Sequence, residues 1–155
     1  MKEAIELFNK KFEQFTVGDT WKSRGRTITE ADLVMFSAFS GDWYPLHTDK
    51  EYAEKNTPFK QRIAHGMLVL SAATGLQIME PDIIVAFYGI EKLRFVTPTF
   101  INDTIYVEIE VLELEDKENG TGVVTARQNV VKHTGELATT GILKILIKKE
   151  QENEG

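Results

Sequence analysis

Between His65 and Glu80 the chain carries fourteen consecutive uncharged residues, Gly66 to Met79, and no other feature limits its possible folds so strongly. The run is too short for a bilayer, which takes about 20 apolar residues. A helix that is uncharged on every face must instead be covered by the rest of the protein. The cover has to come from the chain that follows. Beyond Pro81, which stops the helix, the segments "IIVAFYGIEKLRFV", "DTIYVEIEVLELED", "GVVTARQNVVK" and "LATTGILKILIKK" are rich in β-branched and aromatic residues. In the second, Ile105, Val107, Ile109 and Val111 alternate with Glu108 and Glu110, the period of a strand with one dry and one wet face. Asn119-Gly120 signals a hairpin, because both residues tolerate positive φ, and "HTGE" makes a further turn. The expected class is α+β, with four or so antiparallel strands curled around one buried helix.

Upstream, "DTWKSRGRTIT" reads as a first strand. Thr29 is placed to cap a helix by accepting from the amide of Asp32, and Leu33, Phe36, Ala38 and Phe39 form that helix's apolar stripe. Gly41 to Leu46 breaks it as a loop, and Asp49 or Thr48 then caps a second short helix through Tyr52 and Ala53. The amino end, "MKEAIELFNKKFEQF", puts Ile5, Phe8, Phe12 and Phe15 on a short amphipathic helix and lacks a signal peptide's continuous apolar stretch. From about residue 148 the tail is a charged, solvated end. No repeat or linker divides the 155 residues, so one domain over 1–155 is expected. The net charge of −6 opposes general nucleic-acid binding. The lack of cysteine excludes disulfides and thiolate zinc sites. A cytoplasmic protein with neither nucleic-acid nor membrane partner is the expectation.

Chemistry concentrates in "SGDWYPLHTD", Ser40 to Asp49. Pro45 bars Asp42 and His47 from sharing a helix face, but a bent loop can aim both at one point. An acid and an imidazole so placed can hold a water, one group taking a proton and the other giving one. The same pair also suits a turn-capping Asp and a packed His. His65-Gly66 then opens the long helix, whose first-turn amides have no intrahelical partners. With the helix dipole, those amides suit a developing oxyanion, and glycine lets a substrate come close. The alternative is a tight turn with solvated amides. His47, Asp49 and His65 lack a further ligand at helical spacing, so no metal is expected. His133 falls in a turn and is expected to be exposed.

Taken together, "FSAFSGDWYPLHTDKEYAEKNTPFKQRIAHGMLVLSAATGL", Phe36 to Leu76, resembles the hydratase 2 motif of MaoC-like dehydratases and (R)-specific enoyl-CoA hydratases. That motif runs Gly-Asp, any residue, Asn-Pro-Leu-His, then a helix opened by His-Gly-Met. "LRFVTPTFINDTIYVEIEVLELE" is similar to the family's sheet, so the resemblance covers nearly the whole chain. It implies a hot-dog fold, a homodimer or dimer of dimers, and reversible hydration of a trans-2-enoyl-CoA to the (R)-3-hydroxyacyl-CoA. Coenzyme A is then part of the substrate, and no further cofactor is implied. Asp42 and His47 match the catalytic pair flanking the water, and Gly66 matches the glycine whose amide binds the thioester oxygen. Thr74 falls where relatives have a Ser that holds the catalytic loop; its hydroxyl bonding back to Leu70 is the alternative. His65 is expected to order the start of the helix. Trp43 either walls the pocket or covers core. Of Lys60, Arg62, Lys92 and Arg94, Arg62 is the first candidate for the CoA phosphates, a solvated surface side chain being the alternative for each. Tyr44 departs from the family's Asn, and its ring either narrows the acyl pocket or turns out toward solvent or a partner subunit. The inward placement is favoured, and with it short or polar acyl chains of about four carbons. The same fold serves thioesterases and non-catalytic acyl-CoA binders. The uncharged helix counts against the first, and the intact Asp42/His47 pair against the second.

Overall fold

The computed structural model describes residues 8–151. In chain order these form a 3₁₀ turn (Phe12–Gln14), β1 (Thr20–Lys22), β2 (Arg26–Thr27) and α1 (Glu30–Ser40). Then come α2 (Pro45–Thr48), α3 (Lys50–Asn56) and α4 (Gly66–Leu76). The last elements are the long strands β3 (Ile84–Phe95), β4 (Thr104–Lys117), β5 (Thr121–Lys132) and β6 (Leu137–Lys148). The strands make one antiparallel sheet in the order β1-β4-β5-β6-β3, with β2 also on β4. Asn119 (φ 67°) and Gly120 (φ 72°) turn β4 into β5, the left-handed pair the sequence anticipates.

The sheet's dry face comes from the alternation itself. Ile105, Val107, Ile109 and Val111 of β4 are each at most 2% exposed. They share one core with Leu68, Val69, Ala72, Ala73 and Leu76 of α4 and with Leu143, Ile145 and Ile147 of β6. Ala72 and Ala73 let the helix lie close against the strands, and each buried Leu, Ile or Val adds about 1.5–3 kcal/mol. This is the expected sheet wrapped on a helix.

Several local expectations are corrected. The first strand is two, because the chain kinks at Ser23, whose hydroxyl accepts the amide of Val107 at 2.8 Å. The segment 41–46 is not all loop: Pro45 opens the one-turn α2 from the first helical position, where its missing N–H is no loss. The long helix ends at Leu76 rather than Met79, since Gln77 is extended and Met79 forms a β-bridge with Phe8. That bridge also replaces an amphipathic helix at Phe8, with only a 3₁₀ turn at Phe12–Gln14; Ile5 lies outside the described residues. In α1 the buried positions are Leu33 and Ser37, while Phe39 is 89% exposed. The caps on α1 and α3 are Thr29, accepting from the Asp32 amide, and Asp49, accepting from the Tyr52 amide.

Candidate active site

Three chain segments meet at the N-terminus of α4. From α1 comes Ser37, fully buried at the helical position one turn after Leu33. From the α1–α2 connection comes Asp42, whose carboxylate accepts the Tyr44 amide at 3.2 Å, an Asx turn that orients it. From α2 comes His47, and from the N-cap of α4 comes His65. A carboxylate oxygen of Asp42 and one ring nitrogen from each histidine lie within 4.8 Å of one another. Two hydrogen bonds of about 2.8 Å meeting at one water reach across at most roughly 5.6 Å, so atoms this close are within reach of one shared water.

The two imidazoles have different duties. His47 Nδ1–H donates to the carbonyl of Ile63 at 2.7 Å, which fixes Nε2 as the nitrogen left for chemistry. His65 Nε2–H donates to the carbonyl of Asp42 at 3.0 Å, with Ser37 Oγ 3.1 Å from the same nitrogen. Burial lowers the pKa of His65, and so does the neighbouring His47 charge. The bond to Asp42's backbone and its carboxylate oppose this without reversing it. A neutral His65 therefore pins the Asp42 loop to the start of α4. The rings of His47 and His65 stack at 3.9 Å with 26° between their planes. A metal binds imidazole in the ring plane, and near-parallel stacked rings do not aim two lone pairs at one ion, so the cluster does not fit a metal. Asp49 belongs to the α3 cap instead.

Val69 makes the first intrahelical bond of α4, to His65, and the helix has no side-chain cap. The amides of Gly66, Met67 and Leu68 thus present the positive end of the dipole. A groove of about 380 Å³ runs past them, lined by His47, Gly66, Met67, Phe95, Val96 and Thr139 among others. A Cβ on residue 66 would come within 2.7 Å of the Phe95 ring, so the glycine permits a close approach of that ring to the helix end.

Other expected site residues sit differently. Tyr44 is 55% exposed and does not line the groove. Its ring lies edge-on to His47 at 6.2 Å, and a side-chain bond to Tyr52 raises that phenol's pKa. Of the two placements the outward one holds, and the favoured inward one is corrected: Tyr44 immediately precedes α2 and its ring stays half exposed. Trp43, 53% exposed, neither walls the groove nor covers core. Arg62 is held by Glu30 at 2.5 Å rather than left free for phosphates. Thr74 Oγ donates to the Leu70 carbonyl at 3.2 Å, the helical alternative, and records no bond to the Asp42 loop. His133 is exposed as expected. Sequence reading missed Ser37, a polar residue one turn after Leu33 on the core face, and Phe95, whose partner Gly66 shows no spacing signal.

A long helix wrapped by one antiparallel sheet, with this loop at its N-terminus, is the hot-dog fold. Residues 12–134 match the family described as MaoC like domain, and the chain belongs to that family. It is 40% identical over 111 residues to Protein MaoC of Klebsiella aerogenes, covering 70% of this chain but 32% of that protein. It is 36% identical over 114 residues to an (R)-specific enoyl-CoA hydratase of Rhodospirillum rubrum, covering 72% of this chain and 76% of the relative. Among solved structures, a monoamine oxidase regulatory protein from Archaeoglobus fulgidus superposes with a TM-score of 0.85 at 39% identity, covering 92% and 96% of the two chains. Among the described residues, no helix is long and apolar enough to cross a membrane.

Proposed function

We propose that the protein is a hydro-lyase that reversibly hydrates a trans-2-enoyl-CoA to the (R)-3-hydroxyacyl-CoA. One observation carries the reading: the Asp42 carboxylate and His47 imidazole converge within 4.8 Å beside the unpaired amides of α4. The thioester oxygen sits at the Gly66 amide, which draws electrons from the conjugated double bond and leaves C3 open to attack. With one proton on the Asp42/His47 pair, one member takes the proton of the water whose oxygen bonds to C3. The other delivers its proton to C2. The pair ends with the protons it began with, and the reverse run is dehydration. Ile63 holds His47 Nδ1–H in either charge state, so Nε2 remains the reacting atom. Thioester hydrolysis is disfavoured because α4, "GMLVLSAATGL", carries no carboxylate to activate water at the carbonyl.

The active unit is a homodimer. Among the described strands β3 pairs only with β6, and Val85, Phe87, Tyr88, Phe95 and Val96 are each about half exposed along this edge. An unpaired strand of such length is a liability unless a second copy covers it.

The test is loss of absorbance at the conjugated thioester with crotonyl-CoA, alongside a thiol assay. Hydration without thiol release is expected, and thiol release without hydration would replace this reading by hydrolysis.

A further inference from the structure

A second cavity of about 350 Å³ lies along α4 beyond the first, walled by Leu70, Phe87, Ile90 and Leu143, with Gln77 and Gln128 at its polar end. The two cavities follow the same elements. Along α4 the lining moves from Gly66 and Met67 to Leu70 and then Gln77, and along β6 from Thr139 to Leu143. Gly66 to Gln77 spans about 16 Å of helical rise, so an acyl chain extended along α4 from a thioester at Gly66 would end near the glutamines.

These glutamines are out of place for a plain alkyl pocket. Gln128 is 3% exposed on the core face of β5, between Ala126 and Val130, both fully buried. Gln77 is 7% exposed and donates its amide N–H to Gln128 Oε1. Its own Oε1 is buried without a partner. The hydroxyls nearby are already engaged, Ser71 with the Met67 carbonyl and Thr74 with that of Leu70. An orphaned buried acceptor is uncommon and asks for a donor.

We infer that Gln77 and Gln128 form a distal acyl subsite that selects 2-enoyl thioesters bearing a hydroxyl on the far end of the chain over plain alkyl ones. This rests on the hydratase reading for its substrate class. The hydroxyl donates to Gln77 Oε1, while an alkyl end leaves that oxygen buried and unpaired.

Binding and turnover test it separately. Calorimetry with saturated octanoyl-CoA and 8-hydroxyoctanoyl-CoA reads the subsite without catalysis. The hydroxylated ligand should bind roughly tenfold or more tightly, the worth of satisfying one buried acceptor. In Gln77→Leu that preference should vanish or reverse, and kcat/KM for the corresponding 2-enoyl-CoA pair should follow it. The double variant Gln77→Leu/Gln128→Leu removes both amides together and serves if the single variant does not fold. Equal affinities in the parent, or an unchanged ratio in the variants, would overturn the subsite. Failure of crotonyl-CoA hydration with the binding preference intact would instead strike the hydratase reading alone.

Discussion

Replacing His65 by Leu separates positioning from chemistry. His65 is 2% exposed, and its Nε2 lies 3.0 Å from the Asp42 carbonyl and 3.1 Å from Ser37 Oγ. Leucine removes both bonds. The Asp42 carbonyl, on an exposed residue, can turn to water. Ser37, at 0% exposure, cannot, and an orphaned buried hydroxyl costs about 1–3 kcal/mol. At roughly 2–4 °C per kcal/mol for a chain of this size, the melting temperature should fall by about 2–12 °C. The loop carrying Asp42 then loses its anchor to α4, and a misplacement of about 1 Å can lower turnover by roughly 10². His65→Gln keeps an N–H donor and should recover part of that loss.

The pH dependence gives the same substitution a second readout. Burial holds the folded pKa of His65 below its ordinary value of about 6.5, so the unfolded chain binds more protons in the window beneath it. The stability from a neutral His65 is therefore complete above about pH 6.5 and declines as the pH falls below it. A plot of melting temperature against pH should lose part of that acid decline in His65→Leu. The kcat/KM profile should keep its shape at a lower level, because Asp42 and His47 still carry the protons. Parent-like turnover in a folded His65→Leu would refute the anchoring role. Loss of one limb of the kcat/KM profile would show that His65 transfers protons itself.

Asp42→Asn and His47→Gln should each lower crotonyl-CoA hydration by about 10²–10⁴ with the fold retained, measured by turnover and circular dichroism. Lys132, its side chain 3% exposed, bonds Asp103 at 2.7 Å and the Pro98 carbonyl at 3.0 Å beneath the groove wall. Lys132→Met should destabilise by about 3 kcal/mol, because Asp103 is left without its cation in a mostly buried site; equal melting temperatures would discount the pair. Light scattering should give a mass near twice 17.6 kDa, and a mass of 17.6 kDa at micromolar concentration would remove the β3-edge dimer.

What was legible in the sequence follows the range of the interactions. The alternation of Ile105, Val107, Ile109 and Val111 is a local pattern with period two, and it names the buried face of β4 residue by residue. Caps are local too, and Thr29 and Asp49 bond their own helices as their spacing implies. The errors fall where distant contacts override such patterns. The first strand breaks because Val107, far along the chain, bonds Ser23. The long helix stops early because the chain after Leu76 turns extended toward its bridge with Phe8. Phe39 fits the stripe of α1 by period alone, yet Ser37 takes the buried position because His65 waits there with a donor.

The site divides along the same line. Asp42, His47 and Gly66 were named as a set through the resemblance to the hydratase 2 motif, and the fold brings them to one helix end. Ser37 and Gln77 were not, since each gains its meaning from a partner remote in sequence, His65 for one and Gln128 for the other. Arg62 shows the reverse failure. A cation before the helix looked free for a phosphate, but Glu30 on the first turn of α1 already holds it. Residues that perform a reaction must resemble one another in type across proteins, whereas those that position or select need only complement a neighbour. Gln77 Oε1, unpaired in the folded core, belongs to that second kind: no motif in the chain marks it, and only the packed structure shows it.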